Sequence, residues 1–518
     1  MRKSVLFIIA IIIFGQSFAQ EKYHANWQSM KNYEAPEWYE DAKLGFWVHW
    51  GVYSVPAYMG AHAAEWYGRW MYCKKGQERD FLKPELVFKH HKTTYGDQSV
   101  FGYKDFIPMF KAEKFDANEW ADLCVQGGAK YFCMMGVHHD SFCLWDSKLT
   151  KWNSVKMGPK RDLVGEMKTA IKARGLKFGV SNHSGWNYAF FQFNHINNFD
   201  AEDSANQDLY GNPILSPILD TIKYIPGEGR EKWFARVAGT VKPSERDLNR
   251  WLERTEELCD LYQPDLYYFD WGINIPEFET RRREFGKHYY NKAIERGDGT
   301  FGKPGVVLNY KNEAFPYGAA VKDHERGGEG EIAPIVWQTD DCVYDGHTWG
   351  YSEGVPVKSA NKIIDELIDI VSKRGVLMLS FAPRADGTFP EDQKKLMREM
   401  GAWLKVCGEA IYSTRPWNVY GEKKKDNTGV DVRFTRNKAK TILYATLLNW
   451  KSGEVTIKSI NKQSVPENGI IRVSLVGQDK KLDWKIDEHG FTVQLPKNKP
   501  ALEYAYPIKI EFKNPIEI

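Results

Sequence analysis

The 518-residue sequence predicts an α/β protein: a (β/α) TIM-like barrel over residues 21–410, followed by an antiparallel β-sandwich over residues 411–518. Three observations lead there. From about residue 40 to 405, continuous apolar runs alternate with amphipathic stretches, and unbroken apolarity is what parallel strands covered on both faces require. Nearly every run ends in a polar or aromatic group, as in a barrel that builds its site at the strand C-termini. No GxGxxG or Walker-type loop is present to serve the single switch point of an open sheet.

The predicted barrel strands are Leu44–Trp50, Tyr131–His138, Lys177–Ser181, Leu266–Asp270, Val306–Asn309, Ile335–Thr339 and Val376–Phe381. Helical stretches lie at Asp116–Gln126, Asp162–Arg174, Ser244–Tyr262, Asn361–Lys373 and Asp392–Val406, with Ser244 and Asp247 spaced for an acidic capping box. Beyond Pro416 come short, partly alternating runs: Val430–Thr435, Thr441–Leu448, Ile470–Val476, Leu482–Ile486, Phe491–Leu495 and Ile508–Phe512. Turn residues such as Ser452-Gly453 and His489-Gly490 separate them, the pattern of a sandwich. Its packing against the barrel is the favoured role. Residues 185–243 make a long connection rich in Asn, Asp, Gly, Pro and aromatics, either a substrate-pocket loop or surface decoration.

Composition narrows the partners. Lys plus Arg is 71 and Asp plus Glu is 68, so the net charge of +3 gives no general attraction for nucleic acid or anionic membranes. The 19 Trp, 27 Tyr and 28 Phe suit cores or the C–H faces of sugar rings equally. Arg2 and Lys3 precede the apolar run Val5–Phe14 and the small-residue site around Ser17 and Ala19, which reads as a signal peptide over residues 1–20. That run is short for a membrane span, and no Cys follows it to take a lipid. An exported, periplasmic or extracellular mature chain without membrane insertion is expected. Seven scattered Cys residues with no CxxC spacing argue against a disulfide scaffold or a metal cluster.

Three stretches carry chemistry. His138-His139-Asp140 closes a strand; adjacent strand side chains point to opposite faces, so the two His are not expected to chelate one metal, and hydrogen bonding to a polar ligand fits better. Asp270 closes an apolar strand between aromatics, where a carboxylate can attack an anomeric carbon or merely cap a turn. Glycosidase chemistry needs a second, protonated carboxyl, and Glu325, Glu329 and Glu331 are candidates in what reads as a Gly-rich loop ahead of a strand.

The blocks His49-Trp50-Gly51, Glu65-Trp66-Tyr67, His138-His139-Asp140, Arg161-Asp162, Tyr268-Phe269-Asp270 and Trp349-Gly350-Tyr351, in this order across residues 36 to 385, resemble the retaining α-L-fucosidases of glycoside hydrolase family 29. The resemblance implies a barrel with a C-terminal sandwich, double displacement, and neither cofactor nor metal. Asp270 falls on the nucleophile position, and His49, Glu65, Trp66, His138 and His139 fall on sugar-holding positions. The chain departs from many members at His183 after the third strand, at Tyr268 where Trp is frequent, and at Lys311 where Arg is frequent. These three and Trp337 are expected to line the pocket. Glu325-Arg326-Gly327 followed by Trp337-Gln338-Thr339-Asp340 resembles one subgroup, which assigns the acid/base to Glu325 with Glu329 as runner-up. The implied substrate is a glycan bearing terminal α-L-fucose; the alternatives are an α-L-galactosidase acting on an algal-type polysaccharide and a sugar-binding homologue that has lost catalysis.

Overall fold

The computed structural model describes residues 21–60, 62–78, 82–213, 242–422, 430–465 and 469–517. The predicted signal segment and residues 214–241 of the long connection lie outside these. Eight parallel strands close in sequence order: β1 (Leu44–Val48), β2 (Tyr131–Val137), β3 (Lys177–Asn182), β4 (Leu266–Phe269), β5 (Val307–Tyr310), β6 (Val321–Glu325), β7 (Trp337–Cys342) and β8 (Gly375–Phe381). Closure is made by β8 against β1, with Leu44 beside Leu377 and Val48 beside Phe381. Strands β1, β2, β4, β5, β7 and β8 are buried at every residue, the condition that the apolar runs of all but β7 announce.

Strand β6 corrects the sequence reading, which took its residues for the start of a loop. Val-Lys-Asp-His-Glu has a single apolar member, and Lys322, His324 and Glu325 are only half-buried. Strand β7 begins two residues later than predicted, at Trp337, leaving Ile335 exposed.

The five predicted helices form, as Ala117–Gln126, Leu163–Ala173, Glu245–Tyr262, Ala360–Ser372 and Glu391–Cys407. At the third, the Asp247 amide donates to Ser244 Oγ while the Ser244 amide donates to Asp247 Oδ2 at 2.9 Å, the expected reciprocal cap. A long helix absent from the sequence reading, Glu279–Glu295, buries Arg282 and Asn291 along with Phe285, Tyr289 and Tyr290, so its apolar face is interrupted by polar residues.

The barrel floor is polar and hydrogen-bonded. Gly45 admits the Tyr131 ring where a Cβ would meet it at 2.0 Å. The Tyr39 and Tyr131 hydroxyls donate to Gln338 Oε1 at 2.6 and 3.2 Å, and Gln338 Nε2 donates to Asp323 Oδ1 at 2.7 Å. This column rises toward the mouth.

Beyond Cys407 the chain forms two antiparallel sheets around a second core that includes Trp417, Phe434, Val455 and Phe491. The five-stranded sheet runs β13 (Ile470–Leu475), β16 (Tyr506–Phe512), β11 (Ile442–Leu447), β10 (Val432–Arg436), β9 (Arg415–Glu422); the three-stranded sheet runs β12 (Gly453–Ile457), β15 (Phe491–Leu495), β14 (Trp484–Ile486). Strands β9 and β12 escape the sequence reading because their apolar residues are sparse. Arg433 donates to Asp369 at 2.6 Å, and the Trp403 indole donates to the Ala505 carbonyl at 2.9 Å, so the sheets are tied to two barrel helices. All seven cysteines are buried free thiols. No helix among the described residues is long and apolar enough to cross a membrane.

Candidate active site

Successive strand ends deliver side chains to one pocket: His49 after β1, His138 and His139 after β2, His183 after β3, Asp270 after β4, Lys311 after β5, Glu325 at the end of β6 and Asp340 within β7. Asp270 is the hub. Its Oδ2 lies 3.4 Å from His139 Nε2 and 3.2 Å from His183 Nδ1, and its Oδ1 lies 3.2 Å from Lys311 Nζ. Burial alone would push the Asp270 carboxyl up; the Lys311 ammonium and the two imidazoles reverse this and hold it well below the ordinary carboxylate range.

Lys311 is a clasp. Besides Asp270, its ammonium lies 3.3 Å from Glu325 Oε2 and 2.9 Å from Asp340 Oδ2. Burial would strip its proton, but these carboxylates hold it charged. Because Asp270 and Glu325 share that one ammonium, their nearest oxygens are at most about 6.5 Å apart, at the lower edge of the spacing that leaves room for an attacking water between two carboxyls. Asp340 also accepts from the Tyr268 hydroxyl at 3.0 Å and lies beside Asp323, whose carboxyl burial and the Asp340 charge push well up.

The imidazoles form a second cluster. The His183 ring is centred 5.4 Å from His49 and 5.3 Å from His138, and His49 Nδ1 lies 2.9 Å from Ser380 Oγ on β8. Burial, reinforced by neighbouring imidazoles, holds His49 and His138 well below the ordinary histidine value. Each neutral ring presents one donor and one acceptor nitrogen, which suits sugar hydroxyls. Nδ1 of His138, Nδ1 of His139 and Nε2 of His183 are buried without a protein partner. The expected opposed orientation of His138 and His139 does not occur: both rings lie near His183, because β2 slips register after Met135 and ends at Val137, before the pair. Ring nitrogens of His49, His138 and His183 lie within 4.8 Å of one another, as do the ligand atoms of His139, His183 and Asp270, so either set has the spacing of a metal site.

Glu65 is buried against the segment around Trp349, whose ring lies 5.0 Å from His49. Its Oε2 accepts from the amides of Trp349 and Gly350, both at 3.0 Å, and from Thr348 Oγ1 at 3.3 Å, while burial raises its pKa. Trp66 belongs to an aromatic wall, its ring parallel to Trp271 at 5.9 Å and 5.6 Å from His139, with Trp186 and Phe190 adjoining.

Tyr268 lies against the site, its ring 5.8 Å from that of His183 and its hydroxyl donating to Asp340. Two expectations need correction. Trp337 is outside: strand alternation turns Gln338 and Asp340 inward, so its indole faces outward and donates to the Lys373 carbonyl at 3.0 Å. The runner-up Glu329 sits on that outer face, 3.0 Å from His324 Nε2 and sharing an outer cleft with Trp337. Asp323, Asp340, Arg326, Trp186 and Trp271 were given no site role by the sequence reading; the pairing of Glu325 with Asp340 between β6 and β7, which a single strand's pattern does not reveal, brings Asp340 to Lys311.

The family profile described as alpha-L-fucosidase matches residues 10–409, and the alpha-L-fucosidase C-terminal domain matches residues 424–511. The chain belongs to the α-L-fucosidase family. It is 28% identical over 509 residues to the plasma alpha-L-fucosidase of Rattus norvegicus, covering 96% of each chain. It is 26% identical to the alpha-L-fucosidase of Dictyostelium discoideum, over 89% of this chain and 87% of that one. The crystal structure of Thermotoga maritima alpha-fucosidase in complex with fucose superposes with a TM-score of 0.72 at 27% identity, over 94% of this chain and 100% of that one. Membership makes the chain a glycoside hydrolase, and the family's barrel with antiparallel sheets after it is the architecture found here.

Proposed function

We propose that this family member is an exo-acting, retaining enzyme that releases terminal α-L-fucose from glycans, with Asp270 as nucleophile and Glu325 as acid/base. The observation that carries the reading is the Lys311 clasp, which holds the two carboxyl groups close on one ammonium. Asp270, kept ionised, attacks the anomeric carbon while Glu325 gives its proton to the departing oxygen, leaving a glycosyl-enzyme ester. Glu325, now a carboxylate, takes a proton from water as that water attacks the same carbon and releases Asp270. Two inversions give net retention.

The two residues differ as their tasks require. Asp270 has 7% of its side chain exposed and Glu325 has 28%, so the acid/base can meet leaving group and water while the nucleophile stays dry. His49, His138, His139, His183 and Glu65 hold the sugar hydroxyls, and Trp66 covers an apolar face. The leader-like residues 1–20 support export of the mature chain. The test is a paired assay on 4-nitrophenyl α-L-fucoside and α-L-galactoside, with proton NMR of the first-formed anomer. Preferred fucoside turnover giving the α-anomer is expected; a β-anomer, or faster galactoside turnover, would overturn the reading.

A further inference from the structure

Arg326 follows Glu325 with a φ of +50°, a left-handed conformation that side-chain-bearing residues rarely adopt, although glycines stand next in the chain at 327 and 328. What keeps an arginine there is its guanidinium. Nη1 donates to the Gly346 carbonyl at 2.5 Å, and Nη2 donates to the His347 carbonyl at 3.2 Å and to Cys342 Sγ at 3.1 Å. Its carbon lies 4.7 Å from the centre of the Trp349 ring, and Asp341 approaches Nε at 3.6 Å. The segment it grips runs directly into Thr348, Trp349 and Gly350, whose hydroxyl and amides hold Glu65 Oε2. The Arg326 amide donates to the Asp340 carbonyl at 2.9 Å, fastening the end of β6 to β7.

One side chain therefore joins the strand end carrying Glu325 to the loop that orients Glu65. We propose that Arg326 is a positioning residue coupling these two sites, so that the Glu65 arm of the sugar site and the proton-donating arm are set together; this rests on Glu325 being the acid/base. A lysine could not serve, since its single ammonium lacks the planar fork that spans two carbonyls while lying over an indole.

The variants are Arg326→Lys and Arg326→Gly. The glycine variant relieves the left-handed backbone, so it is expected to fold, with an unchanged near-UV circular dichroism spectrum as the check. Both are expected to lower kcat about 100-fold on methyl α-L-fucoside, whose departure needs a proton, and less than about threefold on 4-nitrophenyl α-L-fucoside, whose departure does not. Both are also expected to raise KM for each substrate about tenfold. A merely structural role would lower the active fraction, reducing kcat equally for both substrates at unchanged KM, and that result would overturn the proposal. So would a KM rise with no leaving-group dependence. Glu325→Ala separates the two levels of the argument: if it shows no leaving-group dependence and no rescue by azide, the acid/base assignment fails; if it shows both and the Arg326 variants show neither, only the coupling fails.

Discussion

The ends of β4 and β6 carry the two carboxylates, and they are built in opposite ways. Strand β4 is Leu-Tyr-Tyr-Phe, fully buried, and Asp270 emerges from it among Lys311, His139 and His183. Strand β6 is polar and half-exposed, and its last residue reaches the solvent edge. A nucleophile must be ionised at every turnover, so a dry, positively surrounded seat suits it. A group that must lose and regain a proton within each cycle needs contact with water. On the proposed roles, the difference between the strands matches how often each carboxyl must change charge.

The comparison breaks most severely at Asp270. Asp270→Gly is expected to reduce kcat at least about 10,000-fold on 4-nitrophenyl α-L-fucoside, with an unchanged circular dichroism spectrum; near-normal turnover would remove it as nucleophile. Glu325→Ala should cost about 100- to 10,000-fold on substrates with poor leaving groups, with partial azide rescue on activated ones. Glu329→Ala should stay within about twofold, because that side chain is engaged on the outer face; rescue confined to Glu329→Ala would reverse the assignment.

A smaller effect sharpens the contrast. Lys311→Met removes the cation that opposes burial at Asp270, so the nucleophile's folded pKa should rise and the acid limb of kcat/KM should move up by about one pH unit or more. An unmoved limb would show that the ammonium does not set the charge of Asp270. Smaller still is the stability effect of the imidazoles. His49 and His138 have folded pKa values below their unfolded ones, so their neutral burial is fully tolerated above about pH 6.5 and stability should fall as pH drops below it. His49→Gln should flatten that part of a Tm-versus-pH curve. Chelators are expected to leave turnover unchanged, whereas added zinc should compete with sugar at the His49, His138 and His183 nitrogens; activity lost to EDTA and restored by zinc would contradict a metal-free double displacement.

The sequence carried the barrel where strands are apolar runs, and it marked the mouth by the polar residues ending them. It could not reveal β6, which is mostly polar and whose Asp323 and Glu325 meet Gln338 and Lys311 rather than an apolar core. Trp337 was misplaced for a related reason: alternation gives two possible phases, and only pairing with neighbouring strands selects the one that sends Gln338 and Asp340 inward. That Glu325 meets Lys311 while Glu329 meets His324 likewise depends on where the strand stops and the chain turns outward. Strand-end chemistry was legible one residue at a time, but register was not, since it belongs to two strands at once.

The polar column beneath the pocket has a consequence for anyone who would move this site. Tyr39, Tyr131, Gln338, Asp323, Tyr268 and Asp340 form a hydrogen-bonded chain that ends where Asp340 accepts from Lys311, and in such a buried chain the loss of one member leaves its neighbours unpaired. Grafting only the loops at the mouth onto another barrel would transplant the carboxylates without their foundation. The transferable unit reaches down to the tyrosines of the floor, and substitutions at the two ends of the barrel should be accepted in concert rather than singly.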